Sequence, residues 1–158
     1  MPTAHVMEQS RAIPVDVDTA FRHTLPMPLP TLFSRWYGPI SPVKQVRDQT
    51  GDWGTVGQTR TVVQVGGGSM REELTLLDPP RAFGYTLSGV TGPLAPLVDH
   101  IDGQWHFAPV GTGTEVTWRW TVYPRNAVAG LAMPGFARLW RGFARVSLGQ
   151  LSNELLRR

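Results

Sequence analysis

The chain divides into a central region with the alternation of strands and a C-terminal region with the spacing of a helix. From residue 43 to residue 123, apolar and polar positions alternate, and turn sequences such as Gly66-Gly67-Gly68 interrupt the pattern. Strands are predicted over residues 43–48, 58–65, 70–77, 83–88, 98–108 and 114–123. The short turns between them favour antiparallel hairpins, because parallel neighbours need long crossovers.

The N-terminal part predicts one strand and two short helices. Residues 5–13 alternate as a strand that ends at Pro14, and Asp16 or Asp18 can cap a helix over 17–25. The prolines of 26–30 break that helix. Thr31 is placed to cap a second helix over 32–37, which Gly38-Pro39 ends.

The C-terminal region predicts one long helix. Apolar side chains recur at steps of three and four from Phe136 to Leu155, and Pro134 suits a first turn. We therefore expect a helix over 134–157, preceded by a separate turn at 127–132 that is hinged at Met133-Pro134-Gly135. The pattern as a whole predicts a single α+β domain over residues 1–158. In it, a curved antiparallel sheet of about seven strands wraps around the long helix and leaves a cavity between them.

Composition and charge narrow the classes of function. A hydrophobic share of 41% and a charged share of 17% are typical of a folded globular protein. The net charge is +3, and Arg138, Arg141 and Arg145 share one helix face. That arrangement favours a solvated outer face over a nucleic-acid-binding stripe. No nucleic-acid partner is expected.

Other absences from the sequence exclude further classes. Cysteine is absent, which excludes disulfides, thiolate metal sites and a cysteine nucleophile. The first ten residues lack the basic and apolar segments of a secretion signal, and no apolar run is long enough to span a membrane. We therefore expect a cytoplasmic protein without integral membrane association, either a monomer or a homodimer.

Three motifs follow one another along the strand region. They are Gly57-Gln58-Thr59-Arg60, the passage from Arg71-Glu72-Glu73-Leu74 to Asp78-Pro79-Pro80-Arg81 and Tyr85, and Gly113-Thr114-Glu115-Val116-Thr117-Trp118. Their order and spacing resemble the START-like (SRPBCC) superfamily, in particular its polyketide cyclase/dehydrase and lipid-transport families. The resemblance covers nearly the whole chain. It implies a helix-grip fold with two short helices after the first strand, and an internal cavity that binds, transports or senses a small lipid-like or polyketide-like molecule.

The sequence also resembles the plant abscisic acid receptors, which share this fold. That comparison implies that Arg60 and Glu72 lie at or near the cavity and that the loop 89–96 is its gate. The receptors' gate-loop motif is not reproduced, and Lys44 is the only lysine that could correspond to their pocket lysine. Hormone recognition is therefore not implied.

Strand alternation and helical spacing predict which side chains face the cavity. Trp118 and Trp120 share one face of their strand, as Glu72 shares a face with Leu74 and Leu76. Burial of a lone carboxylate is costly, so Glu72 either pairs with Arg60 in the cavity or lies in solvent. The predicted ligand-binding residues are Arg60, Glu72, Leu74, Phe83, Tyr85, Leu87, His100, Trp118, Trp120, Leu139, Phe143 and Ser147. Of these, the helix residues can equally be plain core, and His106 is expected on the outer face of the sheet.

The sequence holds no motif that fixes a reaction. Asp99, His100, Asp102 and His106 are the only cluster of metal-ligating types, and strand alternation spreads them too widely to share an ion. The glycines at 66–68 lack the lysine and the helix of a phosphate loop. We expect neither a metal nor a cofactor. Two alternatives to a carrier or sensor stay open: an acid-base cyclase or dehydratase that uses Glu72, Tyr85, Arg60 and His100, and a protein-interaction module that resembles the cochaperone branch of the superfamily.

Overall fold

The strands form one antiparallel sheet that holds a long helix. The computed structural model describes residues 3–157. Its elements are β1 (His5–Ile13), α1 (Val17–Thr24), α2 (Leu29–Leu32), β2 (Val43–Arg47), β3 (Thr59–Gln64), β4 (Ser69–Asp78), β5 (Ala82–Thr91), β6 (Val98–Val110), β7 (Gly113–Pro124) and α3 (Ala127–Leu156). The α+β helix-grip architecture predicted from the sequence is confirmed.

The sheet order follows from consecutive hairpins and one long connection. The order is β1-β7-β6-β5-β4-β3-β2, so that β2 to β7 form a meander and β1 joins its far side by pairing with β7. The connection from β1 to β2 carries α1 and α2. The long helix α3 packs against β1 and β7 and also contacts both short helices. The space between α3, the short helices and the remaining strands is where a cavity can form.

The hinge predicted at Pro134 is wrong, because α3 is one continuous helix. Its N-cap is Asn126, whose side-chain oxygen accepts a hydrogen bond from the backbone N–H of Ala129 at 2.8 Å. Pro134 lies inside the helix and is exposed, whereas the adjacent Met133 and Ala137 are almost completely buried. Burial of that apolar face holds the turn together, although Pro134 has no N–H to donate within the helix.

The second short helix was also predicted in the wrong place. Instead of residues 32–37, it covers the single turn Leu29–Leu32 and starts after Pro28. Proline fits the first turn of a helix because its φ is already helical and its missing N–H would have no partner there. The residues that follow form a tight turn in which Tyr37 and Ile40 bridge one another, with Gly38 at a φ of +52°.

Burial along the strands follows the predicted alternation, with exceptions at bulges. Val116, Trp118 and Val122 of β7 are all at most 1% exposed, as expected for inward positions. In β6 the register with β7 shifts between Val98 and His100, so that Val98 and Ile101 are both fully buried. On β4 the alternation breaks between Leu74 and Leu76, where the register with β5 shifts by a bulge. The extra residue turns Leu76 outward, where it is 38% exposed, so the prediction that Leu76 faces inward is wrong.

Candidate functional site

A partly enclosed cavity of about 320 Å³ lies between the inner face of the sheet, α3 and the segment that carries α2. Its wall is mainly apolar. The aromatic members are Phe33, Phe83, Tyr85, Trp105, Trp118, Trp120, Phe136, Trp140 and Phe143. The charged members are Arg60 and Glu72. The wall therefore combines a large apolar surface with one buried pair of opposite charges.

Arg60 and Glu72 form the charged pair of the wall. They stand directly opposite one another in the register of β3 and β4, so their side chains leave the same face of the sheet. Nε of Arg60 donates to Oε1 of Glu72 at 2.7 Å, and each side chain is 6% exposed. Burial raises the pKa of the Glu72 carboxyl, and the Arg60 guanidinium opposes that rise. The alternative that Glu72 lies in solvent is thereby excluded.

Two further side chains hold the Arg60 guanidinium. The ring of Trp53 lies 3.8 Å from the Arg60 Cζ atom, which is a cation-π contact. Nη1 of Arg60 donates to Oε1 of Gln49 at 3.2 Å. Both residues belong to the connection between β2 and β3, so this connection folds over the charged pair. The guanidinium is fixed from three sides before any ligand is present.

The hydroxyl of Tyr85 lies at the centre of the aromatic wall. The indole Nε1–H of Trp118 donates to the Tyr85 oxygen at 2.8 Å, and that of Trp120 donates to the same oxygen at 3.0 Å. Burial, reinforced by the negative charge of Glu72, raises the pKa of the Tyr85 phenol. The hydroxyl therefore stays protonated at neutral pH.

The helix closes the cavity with side chains that pack against the same tryptophans. The ring centroids of Trp140 and Trp118 are 4.9 Å apart, and those of Trp140 and Trp120 are 5.5 Å apart. Phe143, one helical turn later, lies 6.0 Å from Trp118 between ring centroids. Phe33, just after α2, stacks on Phe143 and also contacts the ring of Trp118. These contacts set the distance between helix and sheet and hence the depth of the cavity.

The structure places nine of the residues predicted from the sequence in the cavity wall. They are Arg60, Glu72, Phe83, Tyr85, Leu87, Trp118, Trp120, Leu139 and Phe143. The segment 89–96 also reaches the cavity, through Pro93 and Leu94, although its first three residues continue β5.

Three predicted residues do not line the cavity. His100 alternates with the fully buried Ile101 and therefore lies on the outer face, where its ring stacks on Tyr123 at 4.1 Å between centroids. Leu74 points inward, but core side chains cover it completely. Ser147 is buried in α3, where its hydroxyl donates to the carbonyl of Phe143 at 3.0 Å. For these three residues the cavity prediction is wrong.

The sequence interpretation missed several wall residues and also two residues that hold the Arg60 guanidinium. Trp140 stood out in the helical spacing, but that spacing does not distinguish a core residue from a wall residue. Phe33 and the pair Gln49 and Trp53 lie in irregular segments, where no periodicity indicates direction. Only the packing of those segments over the sheet brings them to the site.

The described part of the chain shows no metal site and no membrane span. Among residues 3–157, no group of three His, Cys, Asp or Glu side chains is placed to hold a metal ion. No helix within these residues is long and apolar enough to cross a membrane.

Comparisons with known proteins agree with the fold and identify the family. The ginseng major latex-like protein 151 from Panax ginseng superposes with a TM-score of 0.72 at 13% identity, over 96% of this chain and 97% of that chain. TTHA0849 from Thermus thermophilus superposes with a TM-score of 0.68 at 18% identity, over 96% of this chain and 97% of that chain. Protein MLL2253 from Mesorhizobium loti gives 0.66 at 16% identity, over 96% of each chain. These TM-scores show a shared fold.

No curated protein sequence matches the chain significantly. The model of the family described as polyketide cyclase / dehydrase and lipid transport matches residues 4–155. The chain therefore belongs to the polyketide cyclase / dehydrase and lipid transport family of the START-like superfamily.

Proposed function

We propose that this protein binds a small, mainly apolar molecule of lipid or polyketide type in the cavity, as a carrier or a sensor. The observation that carries the proposal is the cavity itself, with a volume of about 320 Å³ and an aromatic wall. Ligand pockets typically have volumes of about 300–1,000 Å³ and pair apolar walls with a few placed polar groups. The polar groups here include the Arg60–Glu72 pair, the Tyr85 hydroxyl and the side chains of Thr24, Ser41 and Gln64.

The buried charged pair supports binding more strongly than a purely structural role. Removing both charges from water is expensive, and a hydrophobic pair of similar size often stabilises a fold at least as well. Arg60 uses Nε and Nη1 in bonds to Glu72 and Gln49, and its side chain forms part of the cavity wall. A fixed guanidinium in the wall of an apolar cavity is suited to orient an amphipathic ligand.

Native mass spectrometry and a fluorescent probe test this proposal. Protein purified gently should carry an extra mass that is released on denaturation, and it should enhance the fluorescence of the neutral probe N-phenyl-1-naphthylamine. Leu139 lines the cavity from α3, so Leu139→Trp should fill part of it and weaken probe binding. Val146 lies on the same helix outside the cavity wall and is 40% exposed, which makes Val146→Trp the matched control. A native mass equal to that of the polypeptide alone, together with no fluorescence enhancement, would refute the proposal.

An acid-base cyclase or dehydratase has less support than binding. Such a reaction needs side chains that exchange protons with a substrate at short range. Glu72 is engaged by the Arg60 guanidinium, and His100 lies on the outer face of the sheet. Burial raises the pKa of the Tyr85 phenol, so that it is a poor proton donor in a catalytic cycle at neutral pH. Binding requires none of these groups to titrate.

A further inference from the structure

The hydroxyl of Tyr85 accepts two hydrogen bonds from the neighbouring tryptophans. Its oxygen has two lone pairs, and the indole N–H groups of Trp118 and Trp120 point at that oxygen from 2.8 and 3.0 Å. Both acceptor positions are thereby occupied. The hydroxyl proton is the only hydrogen-bonding capacity that remains on this group.

That proton has no acceptor within residues 3–157. The hydrogen bonds of the Tyr85 hydroxyl in this part of the chain are the two that it accepts. The residue is only 7% exposed and lies in the cavity wall. A buried polar group without a partner is costly, and most such groups are satisfied by protein, water or ligand.

Neighbouring strands explain how Tyr85 reaches this position. Tyr85 of β5, Gly103 of β6 and Trp120 of β7 occupy one row across the sheet. A side chain at the middle position would overlap the Tyr85 ring, because a Cβ built on Gly103 collides with its Cζ, Cε2 and hydroxyl oxygen. The glycine lets the phenol lie flat across β6 and reach the indoles of the next strand. The placement of the hydroxyl is therefore built into the sheet.

We infer that Tyr85 is a donor-only anchor, and that the ligand of this cavity carries a hydrogen-bond acceptor oxygen, such as a ketone or ester carbonyl, which takes the Tyr85 proton. This inference rests on the proposed binding function and narrows it. A ligand group that can only donate finds no acceptor on this hydroxyl, since the two indoles block it. An apolar ligand without an oxygen leaves the phenol proton unpaired. The cavity thus selects carbonyl-bearing molecules over hydrocarbons of the same shape.

Two probes of nearly equal shape test the inference. They are 2-acetylnaphthalene, which has a carbonyl acceptor, and 2-isopropenylnaphthalene, in which a CH₂ group replaces that oxygen. We expect the preference of the wild-type protein for the ketone to fall by about three- to tenfold in Tyr85→Phe, the effect of one neutral hydrogen bond. The carbonyl stretching band of the ketone bound to the wild type should lie below its frequency in hexane. The released indole N–H groups in Tyr85→Phe point at the vacated oxygen position and do not reach a ligand in the same pose.

The outcomes separate this inference from the proposed function. If neither probe binds the wild type, the proposed function fails and the inference with it. If both probes bind but the preference is the same in Tyr85→Phe, or the carbonyl band lies at its hexane frequency, the inference is overturned while the binding function stands. If Tyr85→Phe does not fold, the frequency of the carbonyl band of the ketone bound to the wild type decides whether the inference holds. His100→Ala, on the outer face, serves as the control and should bind both probes as the wild type does.

Discussion

Substitution of Gly103 by alanine tests the packing on which the site depends. The added methyl would collide with the Tyr85 ring, so the ring must lift from β6 and leave the indole N–H groups of Trp118 and Trp120. Losing two buried hydrogen bonds costs about 1 kcal/mol each or more, and overpacking adds about 1–3 kcal/mol. Alanine recovers about 0.5–1 kcal/mol, because glycine is unfavourable within a strand.

The expected net loss is about 3 kcal/mol in the free energy of unfolding, or about 6–12 °C in Tm for a chain of this size. Urea titration followed by circular dichroism measures the loss. The control is the same substitution in a Tyr85→Leu background, since leucine lacks the three atoms that a Cβ at Gly103 would meet. There Gly103→Ala should be neutral or stabilising by about 0.5–1 kcal/mol. An equal cost in both backgrounds would refute the proposed packing of Tyr85 on Gly103.

Three further predictions concern the charged pair and the helix. Because burial raises the pKa of Glu72, the stability of the wild type relative to Glu72→Gln should be greatest below the ordinary pKa of 4.5 and should fall as pH rises through the raised pKa. Urea titrations at several pH values measure this difference in stability. A difference that stays constant with pH would contradict the prediction. Arg60→Met leaves Glu72 buried without its partner and should lower the free energy of unfolding by about 3–5 kcal/mol near neutral pH in the same assay. A substitution of a surface arginine should not lower it by that amount. A Cβ added at Gly149 of α3 would lie 4.0 Å from its nearest neighbour, Nη1 of Arg11, so Gly149→Ala should raise the free energy of unfolding by up to about 1 kcal/mol. A lower free energy of unfolding would contradict this prediction.

The order of the elements could be predicted because the signals for them are local. Alternation with a period of two, interrupted by glycine and proline turns, is enough to indicate a meander of hairpins. Gly66 and Gly67, for example, adopt φ values of +96° and +98° in the turn between β3 and β4, a conformation that other residues rarely reach. The predicted cap at Asp16 also acts within a few residues along the chain, since its side chain accepts from the backbone N–H of Thr19.

The errors arose where tertiary packing overrides local preference. Pro134 normally ends or begins a helix, but burial of Met133 and Ala137 carries α3 through it. Leu76 obeys the alternation of its strand only up to the bulge, which depends on the register with β5. Neither the depth at which a helix packs nor the register between two strands is encoded within a short stretch of sequence.

The sequence by itself determined the fold class and the inward face of a regular strand such as β7, because these depend on periodicity. It did not determine the face of His100 in β6 or of Leu76 beyond the bulge in β4. It could not decide which inward residues reach the cavity, so Leu74 and Ser147 were assigned to the wall although the core covers both of them. Only the tertiary structure decided that Tyr85 lies across Gly103 with both lone pairs occupied. That arrangement joins residues of three strands, and its hydrogen bonds arise only when the register of the sheet brings them into one row.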